Sequence, residues 1–348
     1  MAYAAEGGHP AIDCRPLFEA GSKYRAATLR QLKAALTAKG YFYAKMGELL
    51  PLELVSESYK AAEAAHALPA ATLRAKYLGA EAPYRGYSDR EPSYDGNATS
   101  STVRSWDFGR DVPPLPPADP DYEYCGPNIY PDAELPRVRA VIDELYDRQD
   151  RLALAMFTAL AEMFELPGDT FAQHFSWRSS SSLRLLFYPG SGGSGASPGA
   201  ADPRAGSPPE TRHNGASGGG LAEAVGVGGA TGISPHTDYE MFTLMHQSAS
   251  GLQIVPAGGS GWIDLPVRPA DFVIIVGDML ERYTNGALRA TPHRVLMTPW
   301  PRYSIIRFTA VNLAVDETVI LLHPRPPLVG ASIPMERERQ QNDSLANG

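Results

Sequence analysis

Cysteine is nearly absent. Cys14 and Cys125 are the only two in 348 residues, and their separation fits no metal-binding spacing. Two thiols make no disulfide framework, and a reducing, cytoplasmic compartment is the expectation. Positive charge is in deficit, with 31 basic against 39 acidic residues and a net charge of −8, which argues against a nucleic-acid-binding surface. No run of about 18 apolar residues occurs, so no membrane-spanning helix is expected. The stretch Met1 to Pro10 carries no basic segment followed by an apolar run, so no secretory leader is expected either. There is no internal repeat. What remains is the balance of a soluble globular protein, 43% hydrophobic and 20% charged, long enough for one large domain or two small ones.

Periodicity divides the chain by texture. Ser22 to Lys39 places Leu29, Leu32 and Leu36 on one face, which predicts a helix that Gly40 stops, with Tyr41–Tyr43 as a short strand beyond it. Alanine-rich Pro51 to Tyr77 reads as a second helix, and Leu78 to Pro120 as loop. The longest helical pattern runs from Leu135 to Leu166, a core-facing stripe ended by Pro167-Gly168. After Trp177 the pattern turns to short strands. These are Leu183–Tyr188, Phe242–Met245, Leu252–Val255, Trp262–Leu265, Phe272–Val276, Val295–Met297 and Tyr303–Asn312, a spacing that suggests a sandwich or jelly roll. Asn285-Gly286 is a favoured tight-turn pair. Between positions 190 and 232 lies a Gly-, Ser- and Pro-rich insertion that is expected to stay mobile and add nothing to the core. Residues 336–348 read as a disordered tail.

The chemistry-bearing string is Ser234-Pro-His-Thr-Asp-Tyr239. A His and a carboxylate two apart on a strand face the same side. One further imidazole would complete a set that holds ferrous iron on one side and leaves the opposite positions open for oxygen and a co-substrate. Eight histidines compete for that place, at 9, 66, 174, 213, 236, 246, 293 and 323. His9 is terminal and His213 lies in the low-complexity insertion. His246 is the nearest rival, ten residues on, and reads as core or support. His293 lies 57 residues on (293 − 236), followed by Arg294 and then by Arg302-Tyr303-Ser304.

With these strings in order come Gly251-Leu-Gln-Ile-Val255, Gly261-Trp-Ile-Asp264, Val276-Gly-Asp-Met-Leu280, Tyr283-Thr-Asn-Gly286 and Ala290-Thr-Pro-His-Arg-Val295. Together they resemble the iron(II)/2-oxoglutarate-dependent dioxygenases of the isopenicillin N synthase-like superfamily. The N-terminal half matches more loosely, through Pro10–Asp13, Gly40–Tyr43, Trp106–Gly109 and Gly126–Asn128, so the resemblance spans about residues 10 to 326. It implies a mainly β fold, a distorted double-stranded β-helix (jelly roll) with flanking helices. It implies His236, Asp238 and His293 as iron ligands, Arg302 and Ser304 as the pair that binds the far carboxylate of 2-oxoglutarate, and Tyr188 as a further contact to it. No other catalytic side chain is implied. An arginine offers a planar fork to a carboxylate, and a serine two along the strand adds a donor on the same side. The family often carries an asparagine two residues before the tyrosine; here Leu186 stands there.

The activity so implied is hydroxylation or desaturation of a small-molecule metabolite, with O2 consumed and succinate and CO2 released. Fe(II) and 2-oxoglutarate are required, and ascorbate supports turnover. The chain is expected to be a cytoplasmic monomer with no nucleic-acid or membrane partner. Alternatives on the same ligand set are an oxidase of the superfamily that needs no 2-oxoglutarate, a non-catalytic metal- or ligand-binding jelly roll, and a zinc hydrolase. The expected organisation is an N-terminal region over 8–133, a long bridging helix and connection over 134–177, and the jelly-roll core over 178–327. Substrate contacts are sought in 84–108, with Arg85, Arg90, Tyr94 and Arg104, and in 315–328.

Overall fold

Backbone N–H and C=O groups removed from water need partners, and short alternating strands find them by pairing in sheets. The computed structural model describes residues 5–6, 8–19, 21–79, 84–89, 102–191 and 231–312. In chain order the elements are β1 (Ala5–Glu6), β2 (His9–Asp13), α1 (Arg25–Lys39), β3 (Tyr41–Lys45), α2 (Leu52–His66), α3 (Ala70–Thr72), β4 (Gly86–Ser88) and β5 (Arg104–Phe108). There follow α4 (Val138–Met163), α5 (Asp169–Ala172), β6 (Ser182–Tyr188), β7 (Thr231–His236), β8 (Phe242–Gln247), β9 (Leu252–Ile254) and β10 (Ile263–Asp264). The series ends with β11 (Asp271–Val276), α6 (Asp278–Tyr283), β12 (His293–Leu296) and β13 (Arg302–Thr309).

Nine strands form one sheet in the order β1-β2-β3-β11-β8-β13-β6-β5-β4, and four form a second, β10-β9-β12-β7. The pairings are antiparallel except β2 with β3. The two sheets meet face to face. Leu252, Ile254, Val295 and Ile233 of the smaller one pack with Tyr41, Tyr43, Leu186, Tyr188, Met245, Val273, Ile275 and Ile306 of the larger. This is the expected jelly roll. The outer face of the large sheet presents Phe42, Leu185, Leu244, Ile274 and Ile305 to the helices, among them Leu32 and Leu36 of α1 and the buried stripe of α4.

Unbroken register across the large sheet sorts its side chains by parity. Ser304 pairs with Leu186 and Gln247, Ile306 with Arg184 and Met245, and Phe308 with Ser182 and Thr243. Arg302 pairs with Tyr188 at the end of the row. Alternation therefore puts Arg302, Ser304, Ile306 and Phe308 on the interior face, and Tyr303, Ile305, Arg307 and Thr309 on the helix side.

Element bounds differ from the sequence reading where proline or pairing intervenes. The helix expected over 51–77 stops at His66. Pro69 interrupts it, and beyond that proline come only the single turn α3 and a wider π-type turn over Leu73–Tyr77. α4 starts only after Pro136 and ends before Glu165, which takes φ 63°. The stretch 78–120 holds two strands, because β4 and β5 extend the sheet beyond β6. Asn285 and Gly286 both take positive φ, 52° and 76°, but they close α6 rather than join two strands. Most of the 190–232 insertion and all of 315–348 lie outside the described residues. The insertion's two ends are fixed side by side: Ser191 N–H donates to Thr298 O at 2.8 Å, and Thr231 pairs with Leu296.

α2 is pinned to the sheet by His66. Its Nε2–H donates to Leu185 O at 3.1 Å, while Nδ1 is buried without a partner among the described residues. Burial, above all, pushes its pKa down to about 4. A histidine held neutral stabilises the fold above its unfolded pKa of 6.5, and that contribution is lost as pH falls towards 4 and the unfolded chain takes the proton. The sum is roughly 3 kcal/mol at about 1.4 kcal/mol per pKa unit. His66→Gln should therefore flatten the loss of stability between about pH 6.5 and 4, measured by urea denaturation; equal slopes in both proteins would contradict this.

Candidate metal centre

His236 is the last residue of β7 and His293 the first of β12, and they are cross-strand partners with ring centroids 4.1 Å apart. Each ring is turned by a carbonyl two residues upstream. The Nδ1–H of His236 donates to Ser234 O at 2.8 Å, and that of His293 to Thr291 O at 3.2 Å. Both rings thus keep the Nε2 lone pair for a ligand, the tautomer choice seen where imidazole binds metal. These nitrogens lie 3.5 and 3.6 Å from Asp238 Oδ1. The three donor atoms sit within 4.8 Å of one another.

Strand alternation does not explain Asp238, because β7 ends at His236 and Asp238 lies in the turn beyond it. The turn is fixed instead by α6. Asp278 N–H donates to Asp238 O at 2.8 Å, Met279 N–H to Tyr239 O at 2.9 Å, and Gly277 N–H to Met241 O at 3.1 Å. A Cβ on Gly277 would fall 2.0 Å from Glu240 O, so only glycine lets the helix approach this closely. From β8, Thr243 Oγ1 donates to Asp238 Oδ2 at 2.6 Å, leaving Oδ1 towards the imidazoles.

Burial works against a charge on Asp238, but His293, His236 and Thr243 outweigh it and hold the carboxyl at about 2. Burial is also the main influence on His293, driving its pKa down to about 4 against the pull of Asp238. Near neutral pH the two present one carboxylate oxygen and one neutral imidazole. With His236 they form a donor set suited to iron(II).

The row behind this cluster is built for an anion. Arg302 is 1% exposed, and no carboxylate of the described residues pairs with it. Its Nη2 donates to Ser304 Oγ at 3.0 Å and Gln247 Oε1 at 3.2 Å, whereas Nε and Nη1 have no partner among the described residues. Burial lowers its pKa and the Tyr188 and Tyr59 hydroxyls oppose that, so the group keeps its charge. The guanidinium lies 4.5 Å over the Tyr188 ring. A buried cation with two unused donors fits a ligand carboxylate, since leaving it unmatched is costly.

His246 stands apart. It points to the helix side, where Nε2–H donates to Pro269 O at 3.0 Å and Nδ1 accepts the Tyr59 hydroxyl at 2.7 Å. Burial keeps it neutral. Of the residues considered for substrate contact, Arg104 lies 4.5 Å over the Phe187 ring, and Phe187 belongs to the helix-side core. Arg85 is buried and donates to the carbonyls of Tyr84 and Tyr124, packed against Gly109 at the opposite end of β5. Arg90 and Tyr94 lie outside the described residues. The motif reading does not single out Thr243, Gln247 or Gly277. Counting by twos along β8 would reach the first two; Gly277 is visible only in three dimensions.

Comparison with known proteins gives the same picture. Residues 220–310 match the family model of the 2OG-Fe(II) oxygenase superfamily, and residues 10–133 match the N-terminal model described as non-haem dioxygenase in morphine synthesis. The chain is 30% identical over 278 residues to the 2-oxoglutarate-dependent dioxygenase frbA of Dothideomycetidae sp. (strain 11243), covering 75% of this chain and 70% of that one. It is 26% identical over 313 residues to the 2-oxoglutarate-dependent dioxygenase citB of Monascus ruber, covering 87% and 85%. In fold it is similar to a full-length Neurospora crassa protein solved in complex with alpha-KG, at TM-score 0.69 and 20% identity over 97% of this chain and 96% of that one.

Thr243 generates a test. Thr243→Val keeps the shape but removes the donor to Asp238, and loss of such a supporting bond typically weakens a metal site roughly 10–100-fold. Iron(II) titration should show that drop, with Thr243→Ser restoring most of the affinity; an unchanged affinity in the valine variant would deny the hydroxyl this role.

Proposed function

The chain belongs to the 2-oxoglutarate/iron(II) oxygenase superfamily, and on that premise we propose that six side chains carry its activity. His236, Asp238 and His293 hold iron(II), Arg302 and Ser304 hold the far carboxylate of 2-oxoglutarate, and Tyr188 flanks it. The protein is an iron(II)- and 2-oxoglutarate-dependent dioxygenase. The observation that carries the residue assignment is the buried Arg302, with two unused donors, on the same sheet face as Thr243, which reaches Asp238.

When bound, iron(II) and 2-oxoglutarate supply the oxidising chemistry, with O2 consumed, succinate and CO2 released, and a small-molecule substrate hydroxylated or desaturated. The protein's part is placement. Ser234 and Thr291 set the imidazole planes, and Thr243 fixes which carboxylate oxygen faces them. Gln247, itself tied to Leu265 O at 2.8 Å, steadies the Arg302 fork. Leu186, Met245 and Ile306, buried on the same face between Arg302 and Thr243, give the sheet an apolar surface between the two sites. No side chain has to act as a nucleophile.

The same reading divides the chain into an N-terminal region over 8–133, a bridge over 134–177 and a core over 178–327, and takes it as a cytoplasmic monomer. The acidic net charge of −8 supports the absence of a nucleic-acid partner. Among the described residues no helix is long and apolar enough to cross a membrane.

Alanine at His236, Asp238 or His293 should abolish iron binding and succinate release. If His246→Ala did so while His293→Ala left both intact, the ligand set would be wrong. Arg302→Ala should raise the half-saturating 2-oxoglutarate concentration at least roughly tenfold, with iron retained. An unchanged 2-oxoglutarate titration would remove Arg302 from that role.

A further inference from the structure

The end of β8 carries two adjacent polar side chains that point to opposite faces of the large sheet. Gln247 pairs with Ser304 on the interior face, and His246 pairs with Ile305 on the helix side. Both reach the connection between β10 and β11. Gln247 Nε2–H donates to Leu265 O at 2.8 Å and His246 Nε2–H to Pro269 O at 3.0 Å, so the sheet grips this connection from both sides. The Tyr43 hydroxyl adds a third hold, donating to Pro266 O at 2.7 Å. From α2, the hydroxyl of Tyr59 meets His246 Nδ1 at 2.7 Å.

We propose that His246 and Tyr59 are positioning residues for the co-substrate: they tie α2 to the end of the sheet where Arg302 lies, and they hold the Arg302 fork ready for the far carboxylate of 2-oxoglutarate. This rests on the assignment of Arg302 above. The hydrogen bonds fix the direction of every proton in the pair. A carbonyl oxygen only accepts, so His246 carries its hydrogen on Nε2. A neutral imidazole then offers a lone pair at Nδ1, and the Tyr59 hydroxyl must donate to it. Burial raises the Tyr59 pKa, so the hydrogen stays in place and the oxygen has only acceptor capacity left. Arg302 is the cation that feels this oxygen. Burial is the main influence on both groups, and against it each favours the charged form of the other.

A second route runs through the connection. Gln247 Oε1 accepts from Arg302 Nη2 at 3.2 Å, and Leu265 O orients that amide. His246 fixes the same connection further along, at Pro269. Stability does not account for the pair. Along β8 the helix-side neighbours of His246 are Phe242 and Leu244, both apolar core, and replacing two buried hydrogen-bonding groups by apolar ones of like shape is often nearly neutral. α2 is held to the sheet without the pair, by His66 and by the buried Leu54, Val55, Ala61, Ala62 and Ala65.

The experiment uses the full-length protein loaded with iron(II) under argon. 2-Oxoglutarate is titrated calorimetrically beside its 5-methyl ester, which keeps the keto-acid end and loses the far charge. The wild-type protein should bind the acid roughly tenfold or more tightly than the ester. Tyr59→Phe and His246→Leu should each lower the acid's affinity about fivefold, with the ester and iron(II) affinities held within about twofold. Combined, they should weaken the acid no further than the more affected single variant, because both act on one relay. His246→Asn, whose Oδ1 stands close to the place of Nδ1, should keep part of the preference. Should His246→Leu fold poorly, Tyr59→Phe, which removes a single oxygen, must show the selective loss by itself. Acid and ester weakened by the same factor, an acid affinity unchanged in Tyr59→Phe, or losses that multiply in the double variant would overturn the proposal. A wild-type protein that binds acid and ester alike would instead overturn the Arg302 assignment on which it rests.

Discussion

A carboxylate placed out of water beside two imidazoles is an arrangement that burial opposes, and much of this molecule exists to hold Asp238 in it. Burial alone would protonate the group. The turn that carries it is closed by backbone bonds from the start of α6, which only Gly277 permits, and its outer oxygen is occupied by Thr243. The pairing of β7 with β12 sets the two imidazoles across from it. Disturbing any of these supports would reach the donor geometry directly.

The large sheet then serves two layers with one set of strands. On the helix side it is ordinary core, with aromatic and aliphatic residues against α1, α2 and α4. On the interior side the same strands present a graded row, from the sealed cation Arg302 through an apolar band to the half-open pair Arg184 and Asp107. The period of two makes the layers inseparable in the chain. Tyr303 packs on Phe187 at 4.9 Å on the helix side, while its neighbours Arg302 and Ser304 face the interior and hydrogen-bond to each other. Packing and binding are thus specified by alternate letters of one strand.

That alternation is also why so much could be read from the sequence. Strands β6, β8, β9, β11 and β13 announce themselves by short apolar runs between turn residues, and the His236, Asp238, His293, Arg302 and Ser304 strings fall at family spacing. What escaped has physical causes. β4 and β5 are short, with only Trp106 and Phe108 alternating in β5, and they become strands because β6 offers an edge to β5 and β5 in turn to β4. The helix expected to reach Tyr77 ignored Pro69. Asp238 was placed on a strand because spacing of two is silent about a turn, and the turn is imposed by α6, some forty residues later in the chain.

The neighbouring anchors of the 190–232 segment carry a consequence for how this protein can change. Ser191 is tied to Thr298 and Thr231 is paired with Leu296, so the chain leaves and re-enters the fold at almost one point. Closing a chain across so small a gap costs only about 0.6 kcal/mol in closure entropy for each doubling of its length. A one-residue slip inside β13 would by contrast exchange its entire interior row for its helix-side row. Heritable change in length is therefore channelled to this port, where sequence can be gained or lost, or a foreign domain spliced in, while change along the strands is confined to substitution.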